Sequence, residues 1–286
     1  MQQSKMLGLD LKAHDLGHGH IEMVGYRALE WVDVAPLSKE AYQAYLDAVE
    51  RNHAETWEER REKSIRNASK RAQTRVRRLC KAMGVDTLMT LTYRANEVDL
   101  DQVKADLKEF NRRMLRELPG FQFVCGFEQQ DRGAWHMHLA TAGLPAIFTK
   151  KAGRHAVRVK SYDLFRSVWR SITKDRGGNV DVSRRKGTAA RSPARIAAYL
   201  SKYITKAFAQ GEKWTNRWTH YGSTRLPVPV HLGRYDSMLD LIQSAYQLLG
   251  SLDAVVRTGL AKFHDMFFLS SESLDGLKPP SQLPPS

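Results

Sequence analysis

The sequence predicts an α+β fold: a central antiparallel sheet with flanking helices. Three observations carry this. Between residues 84 and 210, β-rich runs and amphipathic helical stretches follow one another in the order β-α-β-β-α-β-α, a split β-α-β arrangement with helices packed on one face of the sheet. Two of the strands are separated by so short a turn that they must pair as a hairpin, which makes the sheet antiparallel. The 286 residues are 42% hydrophobic and 27% charged, ordinary globular usage that can fill a core.

Each element has its own reason. Asp86 to Tyr93 is a β-rich run in which Leu88, Thr90 and Thr92 share one face and Met89, Leu91 and Tyr93 the other. Asp99 to Leu118 carries Leu100, Val103, Leu107, Phe110, Met114 and Leu118 on one helical stripe, and Pro119-Gly120 ends it. Phe121 to Glu128 and Ala134 to Thr141 are strands joined by the turn residues Asp131-Arg132-Gly133. Ser161 to Lys174 is a helix with Leu164, Phe165, Val168, Trp169 and Ile172 inward. Gly177-Gly178 breaks the chain before a short strand, Asn179 to Ser183. Ser192-Pro193 opens a last helix, to about Ala209, with proline at its first position.

The flanks are read more coarsely. Residues 1–37 show no clear period and form an N-terminal segment. Residues 38–83 are a helical basic arm that starts at Ser38, with Gly84 as a stop. Residues 84–210 are the domain that holds the split β-α-β core. Residues 211–270 are a C-terminal loop and helical region: Trp214 to Leu232 is loop and short strand, and Tyr235 to Leu269 mostly helix. Residues 271–286 are a disordered tail, with four prolines between Leu277 and Ser286.

The net charge is +14, from 45 Lys and Arg against 31 Asp and Glu, which points to a polyanionic partner. Ten basic residues and a single acid, Glu62, fall between Arg60 and Lys81. The acids that alternate with bases on a merely solvated helix are missing there, so the arm is read as phosphate-contacting. Arg66, Lys70, Arg71, Arg75, Arg77 and Arg78 are its candidate DNA-binding residues, joined by Lys206. Membrane and export readings fall away. The most apolar stretch, Met238 to Leu269, is interrupted by Asp240, Asp253, Arg257, Lys262 and Asp265, and no apolar segment follows the N-terminus. Cys80 and Cys125 have neither zinc nor disulfide-scaffold spacing, which fits a cytoplasmic protein.

The densest chemical signal is Glu128-Gln129-Gln130-Asp131-Arg132-Gly133-Ala134-Trp135-His136-Met137-His138. Histidines two apart on a strand point to one face. A hairpin centred on Arg132 sets Glu128 opposite His136 on that same face. Glu128, His136 and His138 therefore make a candidate site for Mg²⁺ or Mn²⁺. His18-Gly19-His20 has the same spacing but no strand pattern around it. Downstream, Tyr199 and Tyr203 are four apart on a helix and share a face. Lys202 lies beside that face and Lys206 one turn on. A phenol becomes a nucleophile only with local activation, which a lysine and a metal-polarised phosphate supply. Trp135 and Tyr93 are candidates either for base stacking or for the core.

In this order the motifs resemble the HUH endonuclease superfamily. Leu88-Met89-Thr90-Leu91-Thr92-Tyr93 resembles its first motif, Glu128 with Arg132-Gly133 and His136-Met137-His138 its metal motif, and Tyr199-Leu200-Ser201-Lys202-Tyr203 its nucleophile motif. The two tyrosines, and the basic run Arg75-Val76-Arg77-Arg78-Leu79 ahead of the first motif, are similar to rolling-circle replication initiators of single-stranded DNA phages, the filamentous and prophage type. The resemblance spans roughly residues 66–206. It implies a HUH/Rep-type fold and a site-specific nickase and strand-joining enzyme. The catalytic residues would be Tyr199, Tyr203 and Lys202, the intermediate a 5′-phosphotyrosine. The implied partners are single-stranded or supercoiled origin DNA, a host helicase and a polymerase in a bacterial cytoplasm. No GxxxxGK[ST] motif supplies a helicase in the chain itself. Three alternatives stand beside this: a relaxase, whose tyrosine usually precedes the histidines; a single-tyrosine transposase; and a DNA-binding repressor that does not cleave.

Overall fold

The computed structural model describes residues 2–33, 38–52, 57–152, 155–184, 192–210, 217–249, 254–261 and 265–273. In chain order the elements are β1 (Gln2–Asp15), β2 (His20–Asp33), α1 (Lys39–Asn52), α2 (Trp57–Ala82), β3 (Thr87–Tyr93) and α3 (Leu100–Glu117). Then come β4 (Phe123–Gln129), β5 (Trp135–Thr141), β6 (Ile147–Ala152), β7 (His155–Lys160), α4 (Ser161–Thr173) and β8 (Gly178–Arg184). The chain continues with α5 (Pro193–Gln210), β9 (Trp218–Tyr221), β10 (Val230–Tyr235), α6 (Met238–Leu249), β11 (Ala254–Leu260) and β12 (Met266–Ser273). The whole is α+β with antiparallel sheets, as expected. Two compact units result, one of Ile65–Arg225 and one of Met1–Ser64 with Leu226–Ser286.

The unit of residues 65–225 holds a sheet in the order β8-β3-β5-β4-β9, with every neighbouring pair antiparallel. β3 and β4 run the same way with β5 between them, which is the expected split β-α-β. Asp99 caps α3, its carboxylate accepting from the N–H groups of Asp101 (2.9 Å) and Gln102 (3.3 Å). The apolar stripe of α3 and that of α4 cover Met89, Leu91, Phe127, Met137 and Leu139 in one core. Trp169 is fully buried there, with Phe110 edge-on at 5.9 Å and its indole N–H donated to the Thr92 carbonyl at 2.8 Å.

Helices do not occupy one face only. α5 lies on the opposite face, against β4. Gly126 makes this approach possible: a Cβ there would stand 3.2 Å from Leu200 Cδ1 and 3.8 Å from Ile204 Cγ1. A hairpin of β6 and β7, which the sequence pattern does not announce, separates β5 from α4. Its strands are too short and too basic to show a period. Tyr93 belongs to the core, and Trp135 is half-buried and packs against it. Tyr93 is 4% exposed and donates its hydroxyl to Asp106 at 2.8 Å, while the Trp135 indole donates to the Val98 carbonyl at 3.1 Å.

The second unit corrects two expectations. Residues 2–33, in which the sequence shows no clear period, form β1 and β2, 14-residue strands paired along their length. Their alternation is masked by a bulge at Gly8, where the register shifts, and by the turn Gly17-His18-Gly19, all three residues at positive φ. His18 thus belongs to a turn. Among the described residues of 235–269 there is one helix, α6, followed by the strand β11 and the start of β12. β12 pairs with β2 in a sheet of order β10-β1-β2-β12-β11. Phe267 and Leu269 face a core with Leu11, Met23 and Leu241. Among the described residues of 38–83 there are two helices, α1 and α2, with Ser38 Oγ accepting the Ala41 N–H at 3.2 Å. The proline-rich tail lies outside the described residues. No described helix is long and apolar enough to cross a membrane.

Candidate active site

The β4–β5 hairpin turns through Gly133, at φ 88°, and pairs Glu128 with His136 and Gly126 with His138. The period of two then sets Glu128, His136 and His138 on the face that α5 covers. His138, 5% exposed, meets Glu128 directly, Nε2 to Oε2 at 2.9 Å, and its Nδ1 lies 3.2 Å from Thr90 Oγ1. His136 stands beside it, ring centres 6.5 Å apart, with its Nδ1 3.0 Å from the Gln130 amide.

The electrostatics divide the roles. Burial pushes the His138 imidazole below its usual value and outweighs the neighbouring carboxylate, so His138 is neutral near pH 7. Burial likewise lowers His136, and the nearby His138 adds to it. Burial pushes Glu128 up, but the hydrogen bonds from His138 and Lys206 together win and hold its carboxyl below the ordinary range. The Glu128–His138 contact is therefore a hydrogen bond from neutral imidazole to carboxylate, not an ion pair.

Among the described residues no group of three or more His, Cys, Asp or Glu side chains is gathered as a metal centre. The donor chemistry of Glu128, His136 and His138 nevertheless suits a divalent ion: two neutral imidazoles and an ionised carboxylate on one face. The Thr90 hydroxyl can donate to His138 Nδ1 or accept from it. It can therefore support the tautomer that frees Nε2 as a ligand.

Helix α5 brings the tyrosines to this hairpin. Ser192 Oγ accepts the Arg195 N–H at 3.4 Å, and Pro193 opens the helix. Leu200 and Ile204 are fully buried, and the Tyr199–Tyr203 face lies over the histidines. The Tyr203 ring stacks on His138, centres 3.7 Å apart and planes within 10°. Its hydroxyl donates to that of Tyr199. Burial, and then the hydrogen bond to Tyr199, pushes the Tyr203 phenol well above its ordinary value. Tyr199 is the more open of the two, 39% exposed, its ring 6.3 Å from His138.

The two lysines separate. Lys202 is exposed. Lys206 reaches Glu128, Nζ to Oε1 at 3.2 Å, and lies 3.9 Å from Asp131. Glu128, Gln130, Asp131, Arg132 and Lys206 line a polar cavity of about 380 Å³ beside the histidines. Gln130, Thr90 and Gly126 have places in the site that sequence motifs alone do not assign. A lone glycine inside a strand pattern is the one signal that points to Gly126.

The arm places its charge unevenly. On α2, Arg66, Lys70, Arg71 and Arg75 are exposed on the half of the helix away from the buried Ala72, Val76 and Leu79. Arg77 and Arg78 are half-buried, and Lys81 is 2% exposed. Gln73 donates to Thr205 Oγ1 at 2.9 Å, tying α2 to α5.

No curated protein and no solved structure matches the chain. Residues 86–208 match a family described as Replication-associated protein ORF2, a segment that includes Glu128, His136, His138, Tyr199 and Tyr203. That segment, less than half of the chain, is thus similar to this replication-associated family, a match consistent with a phage rolling-circle replication initiator.

Proposed function

We propose that the protein initiates rolling-circle replication by cutting and rejoining one DNA strand through Tyr199 and Tyr203. The observation that carries the reading is the stack of Tyr203 on His138, with Glu128 and the Tyr199 hydroxyl each one hydrogen bond away. Two nucleophiles and a phosphate-handling hairpin then act as one site.

A phenol oxygen attacks the scissile phosphorus, and the bond to the 3′ oxygen breaks. The leaving oxygen becomes a 3′-hydroxyl that primes synthesis, and the 5′-phosphate stays on tyrosine. After one circuit the second tyrosine cuts the regenerated junction. The 3′-hydroxyl it releases attacks the first phosphotyrosine, which closes the circle and restores the phenol. One phosphodiester is exchanged for another at each step, so no outside energy source is required. Tyr199 is assigned the first cut: its hydroxyl is open and receives the Tyr203 hydrogen, whereas burial keeps Tyr203 protonated. Lys206 and Arg132, at the polar cavity, bring positive charge to the phosphate. Glu128, His136 and His138 would hold Mg²⁺ or Mn²⁺, which neutralises charge that develops on the phosphate oxygens. Host helicase and polymerase would extend the primed strand.

The test is a labelled single-stranded origin oligonucleotide with Mn²⁺, resolved on a denaturing gel. A covalent adduct is expected for the wild type and for Tyr203→Phe, and none for Tyr199→Phe. Joining is expected to fail in both variants. The absence of any adduct from the wild type would overturn the reading in favour of a non-cleaving origin binder.

A further inference from the structure

The β6–β7 hairpin is fixed to the core at its base: Phe148 is buried and meets Phe165 edge-on at 6.2 Å, with Val159 packed against the same core. Beside that base lies a cavity of about 460 Å³, whose wall includes Ile147, Lys160, Tyr162, Arg166, Asp181 and Val182. Its size falls within the usual span of small-ligand sites, roughly 300–1,000 Å³. It shares no lining residue with the polar cavity at Glu128.

Three features of this wall point to a ligand. Tyr162 is 40% exposed, with the Arg166 guanidinium 5.5 Å and Lys160 Nζ 6.0 Å from its ring centre. Arg166 Nε is shut off from solvent and makes no hydrogen bond, and such donors are few in native proteins. Asp181 adds an acceptor between two apolar neighbours, Val180 and Val182. A part-exposed aromatic ring with two cations near it, and one carboxylate on the edge strand β8, suit a nucleotide. The base stacks on the ring, its amino edge meets the carboxylate, and its phosphate takes the cations.

Register relates the cavity to the tyrosines. Asp181 pairs with Thr90, and Thr90 pairs with His138. The cavity therefore begins two strand spacings, roughly 10 Å, from His138. That is about three stacked nucleotides at roughly 3.4 Å each. We infer that this cavity is a nucleotide subsite: an unpaired base of the substrate strand, a few nucleotides from the scissile phosphate, stacks on Tyr162 while Lys160 and Arg166 hold its phosphate. The inference rests on the single-stranded substrate proposed above and extends it to where that strand lies.

The probe is a short fluorescein-labelled oligothymidylate, titrated into the full-length protein at several salt concentrations, with a 4-thiothymidine version for photocrosslinking. Tyr162→Ala is expected to weaken binding about tenfold with an unchanged salt slope, and Tyr162→Trp to restore it. Arg166→Gln is expected to lower the slope of log K against log salt by about 0.7. The crosslink is expected at Tyr162. Wild-type affinity and slope in both variants, with crosslinks elsewhere, would overturn the subsite, as would failure of the wild type to bind the probe. Crosslinking at Tyr162 without a phosphotyrosine adduct on origin DNA would support the subsite and overturn the nickase reading alone.

Discussion

Four residues apart on α5, Lys202 and Lys206 look equivalent by sequence, yet only Lys206 reaches Glu128. Four residues bring the helix round to nearly the same side but about 6 Å further along its axis, and it is that extra turn that sets Lys206, not Lys202, beside the end of the hairpin. Lys206→Gln is expected to slow single-turnover cleavage by about 10- to 100-fold, the range for groups that orient a site, while Lys202→Gln stays near wild type. Equal losses in the two variants would contradict this assignment. His138 gives the site a pH signature. Its folded value lies below the unfolded one, near 6.5, so its contribution to stability is present above about pH 6.5 and is lost as pH falls through the folded value. Glu128, also lowered, adds a loss of the same sign at more acid pH. With chelator present, the melting temperature is expected to fall between pH 7 and 5, and less steeply in His138→Gln. A parallel fall in both would remove His138 as the source.

The elements of the site meet because one strand position has no side chain. Gly126→Val would drive Leu200, and with it α5, away from β4, at a cost of about 1–3 kcal/mol for overpacking. Cleavage is expected to fall with stability, because Tyr199 and Tyr203 ride on the displaced helix. Leu200→Ala in the same chain removes the obstacle and is expected to restore part of both, so the two changes should be strongly non-additive in melting and in adduct yield. Simple additivity would show that the helix does not sit on this glycine. The hairpin register is legible in the sequence, since a short turn and a period of two leave one pairing that keeps Glu128 and both histidines together. The face covered by α5 is not, because it depends on contact between Gly126 and Leu200, residues far apart in the chain.

For the whole molecule, charge and chemistry reside in different places. The +14 is concentrated on α2, where Arg66, Lys70, Arg71 and Arg75 are exposed, while Lys81 is buried and lost to any surface contact. Replacing those four by glutamine is expected to flatten the salt dependence of DNA binding by about 0.7 for each phosphate contact removed from a single strand. Cleavage of a saturating short oligonucleotide is expected to stay nearly intact. A loss of cleavage at saturation would make the arm part of the active site. The unit built on β1, β2 and β12 shows the limit of local reading: its strands are joined across most of the chain, and the Gly8 bulge hides their alternation.

What the sequence determined by itself is what short-range geometry controls. That includes the strand–helix order from Asp86 to Ala209, the hairpin that aligns Glu128 with His136, and the spacing that sets Tyr199 beside Tyr203. These follow from periods of 2 and 3.6 and from turn chemistry, which act within a few residues. Only the tertiary structure decided which face α5 covers, that Lys206 rather than Lys202 meets Glu128, that Tyr203 lies flat on His138, and that β1, β2 and β12 enter one sheet. Those outcomes are set by close packing and by the hydrogen bonds of buried polar groups between segments far apart in the chain, for which local pattern carries no signal.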